Sequence, residues 1–134
     1  MAPVYASAGG TAVVGSGVSY SQKGAVVASP GANEVTRVYV PVTNPQNTSD
    51  KLTKVSVECL GTSAEATEIY VYFGDKLILD ANPTDGSKTF DINTTTQSSQ
   101  ADSQPYGIDV SMDVSFSSAA GTFEIYSVTL QFGS

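Results

Sequence analysis

Apolar and polar residues alternate over several stretches of this chain, and the alternation is most regular between residues 108 and 116. The apolar members occupy every second position: Ile108, Val110, Met112, Val114 and Phe116. Because successive side chains of a strand point to opposite faces, this period of two predicts a half-buried antiparallel strand. A turn at 117–121 and a second apolar run over 122–132 predict that the chain returns as the partner strand.

The second of these two strands contains a change of phase. Phe123 and Ile125 lie at odd positions, but the apolar residues after them lie at even positions: Val128, Leu130 and Phe132. Both sets face one core only if an extra residue separates them. We therefore predict a β-bulge near Tyr126 and Ser127.

Five shorter stretches upstream carry the same signals, at residues 34–42, 52–60, 67–73, 76–79 and 88–92. Gly74 and Asp75 predict a tight hairpin turn between two of them, and polar stretches at 44–50 and 94–104 predict loops. No stretch has the period of an amphipathic helix. The pattern predicts an all-β fold: one antiparallel two-sheet β-sandwich, jelly-roll-like, with seven to nine strands and no significant helix.

The first 33 residues are mostly Gly, Ala, Ser and Val, and they allow two interpretations. They form weak strands of the same sandwich, or they form an arm that adds to the sheet edge of a neighbouring copy. We adopt the second, with an arm at 1–33 and a sandwich domain at 34–134. The side chains expected at this assembly interface are Val13, Val14, Val26, Val27, Tyr70 and Tyr72.

Composition narrows the range of partners. The 134 residues suit one domain, and the net charge of −7 arises from 13 acidic residues against six Lys and Arg. Nucleic-acid binding depends on cations that neutralise phosphates, so a nucleic-acid partner is not expected. The first six residues lack the features of a signal peptide, and no apolar run approaches a membrane span. We expect synthesis as a soluble cytoplasmic chain, with its final location open.

Catalytic side chains are scarce. The chain has no His and one Cys, which excludes the common nucleophile–base pairs and a zinc site. Asp109 and Asp113 share a strand face, but four residues of strand separate them by about 13 Å, too far for a glycosidase pair. Cys59 shares a face with two valines and is expected to be buried. We therefore predict that the chain is not an enzyme and carries no cofactor.

Two sets of residues are candidates for binding. Asp80, Asn82 and Asp85 offer hard oxygen ligands for calcium, although turn formation explains the same residues. Tyr70 and Tyr72 lie on one face of a strand, where they pack at a sheet edge, contact another protein or stack on a sugar.

A set of short segments carries a resemblance. They are the Val-Tyr-Val-Pro-Val of 38–42, the Lys-Leu-Thr-Lys-Val of 51–55 and the strand and turn of 68–75, followed by 89–92, 106–111 and the last strand. Over about residues 35–132 the chain resembles a family of small bacterial β-sandwich proteins of uncharacterised function. Phe73-Gly74-Asp75 stands where that family has Tyr-Asp-Gly, and Tyr106-Gly107 stands where it has Trp-Gly. The resemblance implies the sandwich fold and no catalytic residue.

The predicted function is that of a non-enzymatic structural subunit. It would self-associate into a homo-oligomer, a filament or a surface coat through its arm and its sheet edges. The alternative is a carbohydrate-binding module or lectin-like domain, with a glycan as partner.

Overall fold

The computed structural model describes residues 4–43, 52–93 and 108–133, and these form eleven strands and one three-residue 3-10 turn. The strands are β1 Val4–Gly9, β2 Val14–Gly15, β3 Val18–Tyr20, β4 Ala25–Ala28, β5 Glu34–Val42, β6 Leu52–Thr62, β7 Ala64–Phe73, β8 Lys76–Ala81, β9 Lys88–Asn93, β10 Ile108–Phe116 and β11 Thr122–Phe132. The loops predicted at 44–50 and 94–104 lie outside the described residues. Among the described residues, we find no helix with the length and apolar character needed to cross a membrane.

Two antiparallel sheets pack face to face, so the predicted β-sandwich is confirmed. The first sheet has the order β3-β4-β11-β6-β9, with β1 also paired to β11. The second sheet has the order β2-β5-β10-β7-β8. The described strands outnumber the predicted seven to nine because the first 33 residues contribute four of them.

The apolar residues of the alternating strands face each other between the sheets. Val110, Met112 and Val114 of β10 are fully buried, as predicted from their spacing. Phe73 of β7 stacks on Phe132 of β11 with ring centroids 6.2 Å apart, which joins the two sheets. Burial of these side chains removes apolar surface from water, the main favourable contribution to folding.

The predicted β-bulge is confirmed at Tyr126. Ile125 pairs with Cys59 of β6, and Ser127 pairs with the next residue, Glu58, so Tyr126 is the extra residue. On its other side β11 changes partner at the same point, from β4 at 122–125 to β1 at 127–132. The bulge therefore keeps the apolar side chains of both halves of β11 facing the core. It also lies where β1, β4 and β6 meet along β11.

The segment predicted as an arm folds into the chain's own sandwich. β1 and β4 pair with β11, and β2 pairs with β5. Val13 and Val27 are fully buried in the core, so the prediction that they contact a neighbouring copy is wrong. The reason is close packing: Gly10 and Gly24 approach the Ile125 carbonyl so closely that a Cβ on either would collide with it. Small residues therefore bring the backbone of this N-terminal segment (residues 4–33, called the leader) against β11.

Candidate functional site

The outer face of the second sheet gathers aromatic and charged side chains. Alternation that buries the valines of β5 and β10 turns their neighbours outward, and β7 and β8 present theirs on the same side. We call this surface the tyrosine face, and its residues are Arg37, Tyr39, Glu68, Tyr70, Tyr72, Asp80, Asp109, Ser111 and Asp113. It extends across the four strands β5, β10, β7 and β8.

One row of this face crosses all four strands. Tyr39, Ser111, Tyr70 and Asp80 are direct register partners on β5, β10, β7 and β8. Strand spacing puts the Cα atoms of the two tyrosines about 10 Å apart, on either side of the serine. Tyr39 is 43% exposed, whereas Ser111 is only 4% exposed. The face therefore has a polar floor between two aromatic residues.

The Ser111 hydroxyl has an unusual environment for a buried polar group. It makes no hydrogen bond to another of the described residues. Most buried polar groups in proteins have a hydrogen-bond partner. Its capacity to donate and accept is thus unused at the centre of the tyrosine face.

A second row lies beside the first. Tyr72 of β7 stands opposite Asp109 of β10 and opposite Leu77 of β8. Leu77 is exposed, and so is Val14, the register partner of Tyr39 on β2. Exposed apolar side chains therefore border the tyrosines at both edges of the sheet, on β2 and on β8, and they make the face partly apolar.

An ion pair holds one tyrosine in place. The Nε and Nη2 atoms of Arg37 donate to the two Asp113 carboxylate oxygens at 2.7 and 3.1 Å. The Tyr70 hydroxyl donates to Asp113 Oδ2 at 3.3 Å, and the Arg37 guanidinium lies 4.8 Å from the centre of the Tyr70 ring. Hydrogen bonds and a cation–π contact thus fix Tyr70 from its hydroxyl and from one ring face.

The carboxylates of the face have unequal proton affinities. Hydrogen bonding to Arg37 lowers the pKa of Asp113. A hydrogen bond with Asp80 raises the pKa of Glu68, and desolvation raises the pKa of Asp109. Desolvation, followed by hydrogen bonding to Glu68, raises the pKa of Tyr70 to about 12. The phenol is therefore protonated at neutral pH and acts as a hydrogen-bond donor.

The residues predicted to bind calcium do not converge. Asp85 Oδ1 accepts from the Ser87 backbone N–H at 3.1 Å and from its hydroxyl at 2.7 Å, which is turn chemistry. The Asn82 amide donates to the Thr67 carbonyl, and Asp80 belongs to the tyrosine face. The described part of the chain contains no group of three acidic, His or Cys side chains able to hold a metal ion. Asp80, Asn82 and Asp85 therefore do not form the predicted calcium site.

Three of the six side chains predicted for the assembly interface do meet on one surface. Tyr70 and Tyr72 belong to the tyrosine face, and Val14 borders it. Val26 lies instead on the first sheet, opposite Glu124. The prediction that Cys59 is buried is confirmed.

Sequence reasoning missed Arg37, Tyr39 and Ser111. Their signal was their position: each alternates with the buried valines or the methionine of β5 and β10. Which strands are neighbours decides whether such outward residues meet, and local patterns do not contain that information.

Two depressions lie away from this face. One, of about 290 Å³, lies at an end of the sandwich and is lined mainly by hydroxyl groups, including those of Ser63, Ser87 and Ser115. The other lies beside Tyr126, Glu58 and Lys23. The described lining of the first contains no aromatic side chain and that of the second contains one, whereas the tyrosine face has three.

No protein-family model matches the chain, and no curated protein matches it in sequence. The resemblance to the bacterial sandwich family stays a prediction. Solved structures do match in fold. A family 29 carbohydrate-binding module from Piromyces equi is 11% identical, with a TM-score of 0.53, and the match covers 99% of this chain and 93% of the module.

Two further matches have the same fold. The xylan-binding module CBM15 is 17% identical, with a TM-score of 0.50 and coverage of 97% of this chain and 91% of that one. Xylanase 10C from Cellvibrio japonicus, solved with xylopentaose, is 15% identical with a TM-score of 0.50. The match covers 98% of this chain, which spans only 27% of the xylanase.

The fold is that of a carbohydrate-binding-module sandwich. The similar structures are mostly carbohydrate-binding modules, so the prediction of a self-associating structural subunit is wrong. They favour the alternative interpretation, a carbohydrate-binding module or lectin-like domain. At 11%, 17% and 15% identity, these three likenesses are likenesses of fold.

Proposed function

We propose that this chain is a non-catalytic carbohydrate-binding domain whose glycan lies on the tyrosine face. The observation that carries the proposal is the row in which Tyr39 and Tyr70 flank the buried Ser111 hydroxyl. The fold shared with carbohydrate-binding modules supports it.

The chemistry of the face suits a sugar. A pyranose ring has an apolar face of C–H groups and an equator of hydroxyls. Tyr39 and Tyr72 offer aromatic surface for the C–H groups, because aromatic rings combine a large apolar area with a polarised face. The carboxylates of Asp80 and Asp109 accept hydrogen bonds from hydroxyls, and such charge-assisted bonds are stronger than neutral ones.

The face is also organised before a ligand arrives. Arg37 and Asp113 hold Tyr70 in place. β10 and β7 are interior strands of the sheet, and each is hydrogen-bonded to a neighbouring strand on either edge. A side chain that is already fixed loses less conformational entropy on binding, which favours affinity. Arg37 and Asp113 are therefore positioning residues, whereas Tyr39, Tyr70 and Tyr72 contact the sugar.

Affinity electrophoresis in gels that contain soluble polysaccharides tests the proposal, and calorimetry with oligosaccharides of the retarding class measures the affinity. We expect Tyr39→Ala and Tyr72→Ala each to weaken binding about tenfold, a loss of about 1.4 kcal/mol. Tyr5→Ala is the matched control, because Tyr5 is exposed on the outer face of the first sheet. Thermal unfolding checks that each variant is folded.

Two results would overturn the proposal. One is that none of the polysaccharides retards the protein. The other is that Tyr5→Ala weakens binding as much as the two substitutions on the tyrosine face.

A further inference from the structure

The tyrosine face carries an unbalanced set of charges. Four carboxylates lie on it, and Arg37 is the one cation among the described residues whose register places it there. Both prongs of that guanidinium bind Asp113. The cation is thus used within the protein, and the remaining carboxylates are those of Glu68, Asp80 and Asp109.

A ligand meets these groups as hydrogen-bond acceptors. Ionised carboxylates accept hydrogen bonds and do not donate them, so they pair with hydroxyl groups. A ligand carboxylate or sulfate about 4 Å away would cost about 1 kcal/mol in water and about 4 kcal/mol at a partly desolvated surface. An anionic glycan would face several such repulsions, and the described residues of the tyrosine face offer it no cation that is free of an ion pair.

Ser111 supplies an independent observation that points to a ligand. Ser111 is more than nine-tenths buried on the floor of the face, and its hydroxyl has no hydrogen-bond partner among the residues that the structure describes. A hydroxyl suits a neutral hydroxyl partner, with which it exchanges donor and acceptor roles. The centre of the face therefore offers a hydrogen-bond partner to a ligand hydroxyl, and the carboxylates at its rim repel negative charge.

We infer that the tyrosine face selects neutral polysaccharides and rejects chains that carry uronic acids or sulfate. This inference rests on the proposed function and adds the ligand class to it. The carboxylates near Tyr70 and Tyr72 act as the specificity determinants, and the tyrosines supply contact area for any sugar ring.

The test compares neutral polysaccharides (a glucomannan, a mixed-linkage β-glucan and a neutral xylan) with polygalacturonate and alginate at one low ionic strength. We expect the wild-type protein to be retarded by at least one neutral polymer, and at least tenfold less by the acidic ones. Asp80→Lys should weaken neutral binding severalfold and create retardation by polygalacturonate. Asp80→Asn, which alters the structure less, should weaken neutral binding without creating acidic binding.

Two controls separate local chemistry from net charge and from folding. Asp91→Lys changes the net charge equally but lies on β9 of the first sheet, and it should keep the wild-type preference. Ser111→Ala should weaken binding of neutral polymers severalfold at an unchanged melting temperature, because the hydroxyl makes no hydrogen bond to a described residue. Ser115→Ala, on the same strand and the same side of the sheet but outside the tyrosine face, should bind as wild type.

The outcomes distinguish this inference from the proposed function. Retardation by acidic polymers equal to or stronger than that by neutral ones would overturn the selectivity and leave the carbohydrate-binding function standing. The selectivity would also fall if Asp80→Lys and Asp91→Lys behaved alike. Absence of retardation by every polymer would overturn both.

Discussion

Arg37 and Asp113 face each other across β5 and β10, and the guanidinium donates to both oxygens of the carboxylate. The pair stands 76 residues apart in sequence. Tyr70 lies against both partners, with its hydroxyl on Asp113 and its ring beside Arg37. An exposed ion pair of this kind adds little to stability, so its effect on Tyr70 is its more important consequence.

Arg37→Ala should therefore separate stability from binding. We expect a loss of about 0.2–1 kcal/mol in the free energy of unfolding, because both groups are partly exposed. Glycan affinity should fall severalfold, because Tyr70 loses its cation and the orientation of Asp113. Urea unfolding and calorimetric titration measure the two effects. Loss of stability without loss of affinity would show that the pair does not position the site.

The same pair predicts a dependence of stability on pH. The pKa of Asp113 is lowered in the folded protein by its hydrogen bond with Arg37. Its contribution is therefore present above the unfolded-state pKa of about 3.9, and it is lost as pH falls through the folded pKa. In Asp113→Asn, the melting temperature should depend less on pH between about pH 4 and 2 than it does in the wild-type protein. An unchanged pH profile in this variant would contradict the assignment.

Two adjacent glycines test the packing of the leader on β11. A Cβ on Gly10 would collide with the Ile125 carbonyl and meet the Gly24 backbone, whereas a Cβ on Gly9 has nothing within 4 Å. Gly10→Ala should cost about 1–3 kcal/mol or more, because backbone has to move. Gly9→Ala should stay within about 0.5 kcal/mol of wild type. Equal melting temperatures for the two variants would mean that the leader is not packed against β11.

The bulge at Tyr126 is expected to be essential for folding. Deletion of Tyr126 would shift the pairing of β11 with β6 by one residue after Ile125. The later apolar residues of β11 would then point outward, as Thr129 and Gln131 do now. We expect the deletion variant to lack cooperative thermal unfolding by circular dichroism. Tyr126→Ala keeps the extra residue and loses a partly buried hydrogen bond from the Tyr126 hydroxyl to Glu124, so it should still unfold cooperatively. A deletion variant as stable as this control would refute the role of the bulge.

Cys59 should be chemically inert in the native protein. Burial raises its pKa to about 12, and its thiol donates to the Lys88 carbonyl at 3.4 Å. Because the thiolate is the reactive form, iodoacetamide at pH 8 should label the native chain hardly at all and the denatured chain fully. Ser19→Cys, at an exposed position of β3, should add one equivalent of labelling in the native state. Rapid native labelling of Cys59 would contradict this burial.

Alternation alone was enough to predict the sandwich and the bulge. The apolar face of residues 108–116 and the change of phase between Ile125 and Val128 are local features, since neighbouring side chains on a strand point in opposite directions. Any fold that buries those residues in a two-sheet core needs strands there and an extra residue at Tyr126. The sequence therefore determined which side chains face inward.

The tertiary structure decided which outward side chains meet. Tyr39, Ser111 and Tyr70 come from three strands distant in sequence, and only the order β5-β10-β7 brings them into one row. The tertiary structure also decided where the leader pairs. Short runs of Gly, Ala and Val suit a strand of the chain's own sandwich and a strand added to a neighbouring copy equally well. Its place on β11 follows from close backbone approach at Gly10 and Gly24, a contact between distant parts of the chain that no local pattern contains.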